Sequence, residues 1–271
     1  MGSVRSSDGT EIAFERSGDG PPLVLVVGAF SDRTWGKALG TGLRDAFTVY
    51  EYDRRGRGDS GNTPPYAVAR EIEDLAALIE VAGEPAFVFG QSSGGALALE
   101  AAAGALPIRA LVVHEPPYTD GPTFEFAERL EKLVGEGRCS EAAASFLELL
   151  GTPPTVIAEM KAGPHWAHME AFAPTLSHEI RLCSNGVLPT HRLARLSAPT
   201  LALAGETSPS WAREGAAAIA DAVSSGQARV LAGQGHRVAD NVLISVLKEF
   251  FRSGPPVVHG PLFDGAEDSG G

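Results

Sequence analysis

The residues best equipped for chemistry are Gly90-Gln91-Ser92-Ser93-Gly94, between the apolar run Pro85-Ala-Phe-Val-Phe89 and the helix-prone stretch Gly95-Ala-Leu-Ala-Leu-Glu-Ala-Ala-Ala103. A strand, a sharp turn and a helix in that order make the setting of a nucleophile elbow. A serine in such a turn takes a strained backbone conformation, tolerable only where the residues two before and two after lack bulk, as Gly90 and Gly94 do. Its hydroxyl then stands clear of the sheet, able to attack a carbonyl. The amide of Ser93, opening the helix, points to where negative charge would gather on that carbonyl. One short segment thus offers both a nucleophile and an oxyanion donor. The competing reading is a glycine-rich turn that packs helix on sheet or cradles a phosphate. The segment has neither the G-x-G-x-x-G spacing nor the closing Lys and Ser/Thr that a phosphate loop needs.

The surrounding pattern predicts the elements that must position this serine. Glu11-Ile-Ala-Phe-Glu15 alternates as a half-exposed edge strand would, whereas Pro22-Leu-Val-Leu-Val-Val27 is continuously apolar, as a strand covered on both faces should be. Phe47 to Tyr52 reads as a third strand, followed by a helix with apolar positions Ile72, Leu75, Leu78 and Ile79. After the elbow come the strands Ile108 to Val113, Thr200 to Ala204 and Ala228 to Leu231, with helices at Trp211 to Val223 and Asn241 to Phe251. Such alternation predicts a mostly parallel sheet with helices on both faces and active residues at the carboxyl ends of its strands. Between Pro116 and Ser197 the rhythm changes to helical segments near Phe124 to Val134 and Glu141 to Leu150, without a strong strand. The expected organisation is a core at 1–115 and 198–253, a helical cap at 116–197, and a mobile acidic, Gly-rich tail at 254–271.

The 271 residues carry a formal net charge of −12 and are 44% hydrophobic, enough for one sizeable core. That charge argues against a nucleic-acid partner, since only Arg54-Arg55-Gly56-Arg57 is locally basic. Cys139 and Cys183 form no disulfide framework and lack metal-ligand spacing, and no dinucleotide fingerprint occurs. The N-terminal residues contain no apolar signal core, and runs such as Leu23 to Val27 are too short to cross a bilayer. The expectation is a cytoplasmic protein, without cofactor or metal, acting on a small molecule away from membranes. A homodimer is compatible with the sequence, which is otherwise silent on oligomeric state.

From about residue 10 to 252 the chain resembles the α/β-hydrolase superfamily, specifically its small single-domain members with a helical cap. The resemblance rests on Val27-Gly28-Ala29, Tyr52-Asp53-Arg54-Arg55-Gly56-Arg57-Gly58-Asp59-Ser60, the elbow, and Gly233-Gln234-Gly235-His236. It implies that Ser92 is the nucleophile, His236 the base, and the Ala29 and Ser93 amides the oxyanion hole. Relatives usually carry His-Gly where this chain has Val27-Gly28, which leaves the first donor between Ala29 and Phe30. His236 also lies in a short polar loop between the last strand and last helix, within reach of the sheet's carboxyl edge. There an imidazole can take the Ser92 proton near neutral pH and return it to a leaving group. Asp53 and Asp59 read as turn-fixing residues. Phe30, Gln91, His165 and Trp166, with His168, are candidates for the substrate pocket.

The acid departs from the family pattern of Gly, two residues, then Asp, because Gly205-Glu206-Thr207 leads to Ser208. Two carboxylates can replace the aspartate: Glu206 in the same loop, and Glu115, which ends the strand after the elbow's helix. Glu115 is favoured, since it follows a stretch that reads as buried, where an ionised group is costly unless paired. No carboxylate occupies the elbow, so dehalogenase and epoxide-hydrolase chemistry are not implied. The expected activity is hydrolysis of an ester or thioester through an acyl-enzyme on Ser92. Non-hydrolytic chemistry on the same scaffold, such as cyclisation or C–C bond formation or cleavage, is the alternative. A binding protein that kept the fold and lost catalysis is the third reading.

Overall fold

A computed structural model describes residues 1–119 and 123–253. One sheet is built from β1 (Gly2–Arg5), β2 (Glu11–Ser17), β3 (Pro22–Val26), β4 (Thr48–Tyr52), β5 (Ala86–Gln91), β6 (Ile108–His114), β7 (Thr200–Gly205) and β8 (Gly226–Leu231). Their order across the sheet is β1-β2-β4-β3-β5-β6-β7-β8. From β4 through β8 every neighbouring pair is parallel, whereas β2 runs antiparallel to both β1 and β4. The register pairs Val26 with Gly90, Gln91 with His114, and His114 with Leu203, so β3, β5, β6 and β7 end side by side.

Every residue of β3, β4, β5 and β7 is buried, which is why β3 reads as a continuous apolar run instead of an alternating one. Helices cover both faces. On one side lie α1 (Lys37–Leu43) and, closing the chain, a helix at Asp240–Ser253; Leu39, Leu43, Leu243, Leu247 and Phe251 meet Leu23, Leu25 and Phe89 of the sheet. The other face takes α2 (Val68–Ala82), α3 (Ser93–Ala103) and a helix at Ser210–Ala222. Leu75 and Leu78 of α2 are fully buried, with Ile79 beside them, and α3 is buried along most of its length. Small residues let α3 lie close to the strands: a Cβ on Gly94 would stand 2.2 Å from the Val26 carbonyl oxygen, and one on Gly90 2.6 Å from Gly95 Cα.

Between β6 and β7 the chain forms α4 (Phe124–Gly135), α5 (Cys139–Leu149), α6 (Pro154–Ala162), α7 (Trp166–Ala171), α8 (Ala173–Leu182) and α9 (Thr190–Leu193). The two helices after β7 and β8 are α10 (Ser210–Ala222) and α11 (Asp240–Ser253). The inserted helices gather a core of their own, including Leu130, Phe146, Ile157, Trp166, Leu176 and Ile180, and Ala29 and Phe30 pack against it from below.

One expectation is corrected. Glu11–Glu15 is not an edge strand, because Gly2–Arg5 pairs with it and leaves β2 second in the sheet. β1 escaped detection because Val4 is its one apolar residue and its side chains are largely exposed. The acidic tail at 254–271 lies outside the described residues.

Candidate active site

Three strand ends carry backbone that non-glycine residues rarely adopt. Phe30 after β3, Ser92 after β5 and Glu115 after β6 have φ of 52°, 55° and 48°, three of the five such residues described. Positive φ costs a side-chain-bearing residue about 1–3 kcal/mol, and such strain gathers where chemistry needs a fixed geometry. Ser92, with ψ of −130°, turns the chain from β5 into α3 and remains partly exposed among buried neighbours. Its amide donates to the His114 carbonyl at 2.8 Å, tying the turn to β6. Gly28 lies against it closely enough that a Cβ there would come within 2.8 Å of Ser92 Cβ.

Glu115 and His236, far apart in sequence, meet. Glu115 Oε2 lies 2.7 Å from His236 Nδ1, and Glu115 Oε1 accepts the Gly205 amide at 2.8 Å. The carboxyl is 1% exposed. Burial would raise its pKa, but hydrogen bonds from His236 and the Gly205 amide outweigh burial and bring it down to about 2. An ionised carboxylate at Nδ1 fixes the tautomer with the proton there, leaving Nε2 as an acceptor. That acceptor meets the side-chain amide nitrogen of Gln91 at 3.2 Å, one residue before Ser92. The His236 side chain is 52% exposed, so its outer face is open to solvent.

Glu206 takes a different place. Its Oε2 accepts the Gly233 amide at 2.8 Å, while the Thr207 hydroxyl donates to the Gln234 carbonyl at 2.9 Å. These contacts hold the loop that presents His236 but leave the imidazole to Glu115. Ser208, where the family pattern has aspartate, is buried.

Of the pocket candidates, Gln91 touches His236, and Phe30 sits under the insertion, edge-on to Phe146 at 5.6 Å and to Phe172 at 6.4 Å. Trp166 does not open onto Ser92: it is buried in the insertion's own core, and its ring N–H donates to Ser140 and Glu170, each at 2.8 Å. His165 is exposed at the start of α7, and His168 packs edge-on to Phe172 at 4.9 Å. Among the described residues neither the Ala29 nor the Ser93 amide donates to any protein acceptor.

Sequence reasoning passed over His114 and gave no sign that the arginines of the Tyr52–Ser60 motif would be buried and paired. His114 is buried beside Glu115, its Nε2 3.5 Å from Oε1, and burial depresses its pKa to about 4. His114, Glu115 and His236 offer ligand atoms within 4.8 Å of one another, but a cation would have to displace the Glu115–His236 hydrogen bond. Arg54, Arg55 and Arg57, the locally basic stretch, are all buried and paired with Glu71, Glu179, Asp74 and Asp8. Asp53 accepts the Arg33 amide at 2.8 Å and the Asp59 amide at 2.9 Å, a turn-fixing role.

Comparison with known proteins agrees with this topology. The model of the alpha/beta hydrolase family matches residues 23–243. A crystal structure of an alpha/beta hydrolase from Sphaerobacter thermophilus DSM 20745 is 49% identical, covering 92% of this chain and 100% of that one, with a TM-score of 0.85. A thermophilic esterase from Thermogutta terrifontis is 25% identical over 93% of this chain and 98% of its own, with a TM-score of 0.72. The uncharacterized hydrolase YraK of Bacillus subtilis is 32% identical over 96 residues, 34% of this chain and only 35% of that protein. With most of its length matched by the family model and its fold shared with a hydrolase 49% identical, this chain belongs to the alpha/beta hydrolase family.

Proposed function

We propose that the protein is a serine hydrolase that cleaves an ester or thioester of a small to medium, moderately apolar molecule through an acyl-enzyme on Ser92. The observation that carries this reading is the Glu115–His236 hydrogen bond of 2.7 Å, its imidazole meeting Gln91, the residue before Ser92. Substrate entry turns the Gln91 amide away from His236 Nε2, which then takes the Ser92 proton as the oxygen attacks the carbonyl carbon. Glu115 holds the imidazole in the required tautomer and stabilises the imidazolium without taking its proton. The Ala29 and Ser93 amides, which among the described residues donate to no protein acceptor, receive the developing oxyanion. The imidazolium returns the proton to the departing alcohol or thiol. Water, activated by the same imidazole, then releases the acid. Phe30, partly exposed and edge-on to the buried Phe146 and Phe172, offers apolar surface beside Ala29, which suits an uncharged acyl group. The chemistry needs no cofactor, and no described helix is long and apolar enough to cross a membrane.

Intact-mass spectrometry after rapid mixing with a panel of p-nitrophenyl esters tests the proposal. An added acyl mass on the wild type, absent from Ser92→Ala, is expected. Full turnover of the natural substrate by Ser92→Ala would overturn it in favour of chemistry without an acyl intermediate.

A further inference from the structure

The four side chains Arg54, Arg57, Glu71 and Glu179 form a buried charge cluster that joins the insertion to the loop after β3. Arg57 Nη1 donates to the Gly28 carbonyl at 2.6 Å and to the Ser31 carbonyl at 3.1 Å, bracketing Ala29 and Phe30. Arg54 Nη1 reaches the Val27 carbonyl at 3.3 Å. Both arginines are held by one carboxylate, Glu179 on α8: Oε2 accepts from Arg54 at 3.0 Å, and Oε1 pairs with Arg57. Glu71 of α2 pairs with Arg54 from the other side at 2.6 and 2.7 Å.

A trans peptide is planar, so the Gly28 carbonyl and the Ala29 N–H lie in one plane and point in opposite directions. Grasping the carbonyl therefore aims the amide. The loop needs such a grip, because Phe30 sits at positive φ and would relax if released. The grip in turn needs Glu179. Burial depresses the pKa of Arg57, and the Glu179 charge is the chief influence opposing that. Without this carboxylate, two enclosed guanidiniums would share Glu71 alone.

We propose that Glu179, acting through Arg57, is the positioning residue of the oxyanion hole, so that the helical insertion sets the direction of the Ala29 N–H. The inference rests on the reading of Ser92 and Ala29 under Proposed function. It makes the insertion part of the catalytic geometry as well as a cover for the substrate. The charge also lies on the insertion's side, so a shift of α8 is transmitted to the donor through two hydrogen-bonded side chains.

The test compares wild type, Glu179→Gln and Glu179→Ala on one p-nitrophenyl ester, together with competition by a boronic acid, which forms a tetrahedral adduct with an active serine. Thermal melting verifies that each variant is folded. Loss of an oxyanion donor costs about 100- to 1,000-fold in kcat. For Glu179→Ala we expect a fall of about that size, with KM within about twofold and boronate affinity falling in parallel with kcat. Glu179→Gln, which keeps an acceptor for Arg57 at equal volume but not the charge, should recover about tenfold of that loss and stay about tenfold or more below wild type. A purely structural role would lower the melting temperature while leaving kcat intact or shifting KM alone, and would overturn the proposal. Should Glu179→Ala fail to fold, Glu179→Gln decides: wild-type kcat and boronate affinity with a melting temperature lowered by several degrees would also overturn it. A wild type that neither hydrolyses esters nor binds boronate would signal instead that the parent reading has failed.

Discussion

At the scale of single residues, assigning the acid turns on direction as much as on position. Glu115 and Glu206 both sit on loops at the carboxyl edge, yet Glu115 meets the imidazole and Glu206 meets the Gly233 amide. Glu115→Gln should lower kcat by about a hundredfold to ten-thousandfold, because an amide cannot stabilise the imidazolium. Glu206→Gln loosens only the loop, and a fall of less than about tenfold is expected. Steady-state kinetics on one ester with both variants checks the order, and equal losses would contradict it. The burial cost of an unpaired carboxylate was legible in the sequence and favoured Glu115. The Gln91 contact to His236 was not, since residue type says nothing about which neighbour a side-chain amide will choose.

The same limit holds for secondary structure. Strands β3 to β7 and helices α3, α10 and α11 follow from apolar runs and periodicity, with bounds within a few residues of those expected, and α2 spans the four apolar positions expected of it. What pattern could not supply was β1, recognisable only through its partner, and the short helices α1, α6, α7, α8 and α9, whose few turns carry too weak a period to stand out. The elbow's glycines were legible as a steric demand, and the structure gives that demand a direction. Replacing Gly94 by Ala drives a methyl group into the Val26 carbonyl, backbone that cannot step aside. Gly94→Ala should therefore cost about 1–3 kcal/mol or more of stability, read as a lowered urea midpoint. Gly28→Ala should behave differently, since its methyl group meets Ser92 Cβ at 2.8 Å. It should lower kcat at least about tenfold with a smaller stability change, and a wild-type rate would contradict the close approach of β3 to the elbow.

For the molecule as a whole, acid stability owes much to two buried histidines the sequence gave no reason to single out. His114 and His178 are buried, and burial depresses both to about 4. The unfolded chain takes up these protons near pH 6.5 and the folded chain only near 4, so stability falls as the pH drops through that window. The ceiling is on the order of 3 kcal/mol for each histidine. Glu115 and Glu71, whose hydrogen bonds and opposite charges outweigh burial and bring both to about 2, extend the loss from about pH 4.5 downward. Urea midpoints measured from pH 8 to pH 4 should decline below about 6.5. The combined variant His114→Gln and His178→Gln should flatten the upper part of that decline, and an unchanged slope would contradict the assignment.

The six inserted helices leave from the end of β6 and return at β7, its immediate neighbour, with Glu115 bonded to the Gly205 amide across the gap. Entry and exit are thus already stitched together by the core. Recombination in nature or in the laboratory could exchange the whole excursion for a foreign one while Glu115 and His236 keep their places. A transplant would carry one obligation: some side chain of the newcomer must present a negative charge where Glu179 now stands.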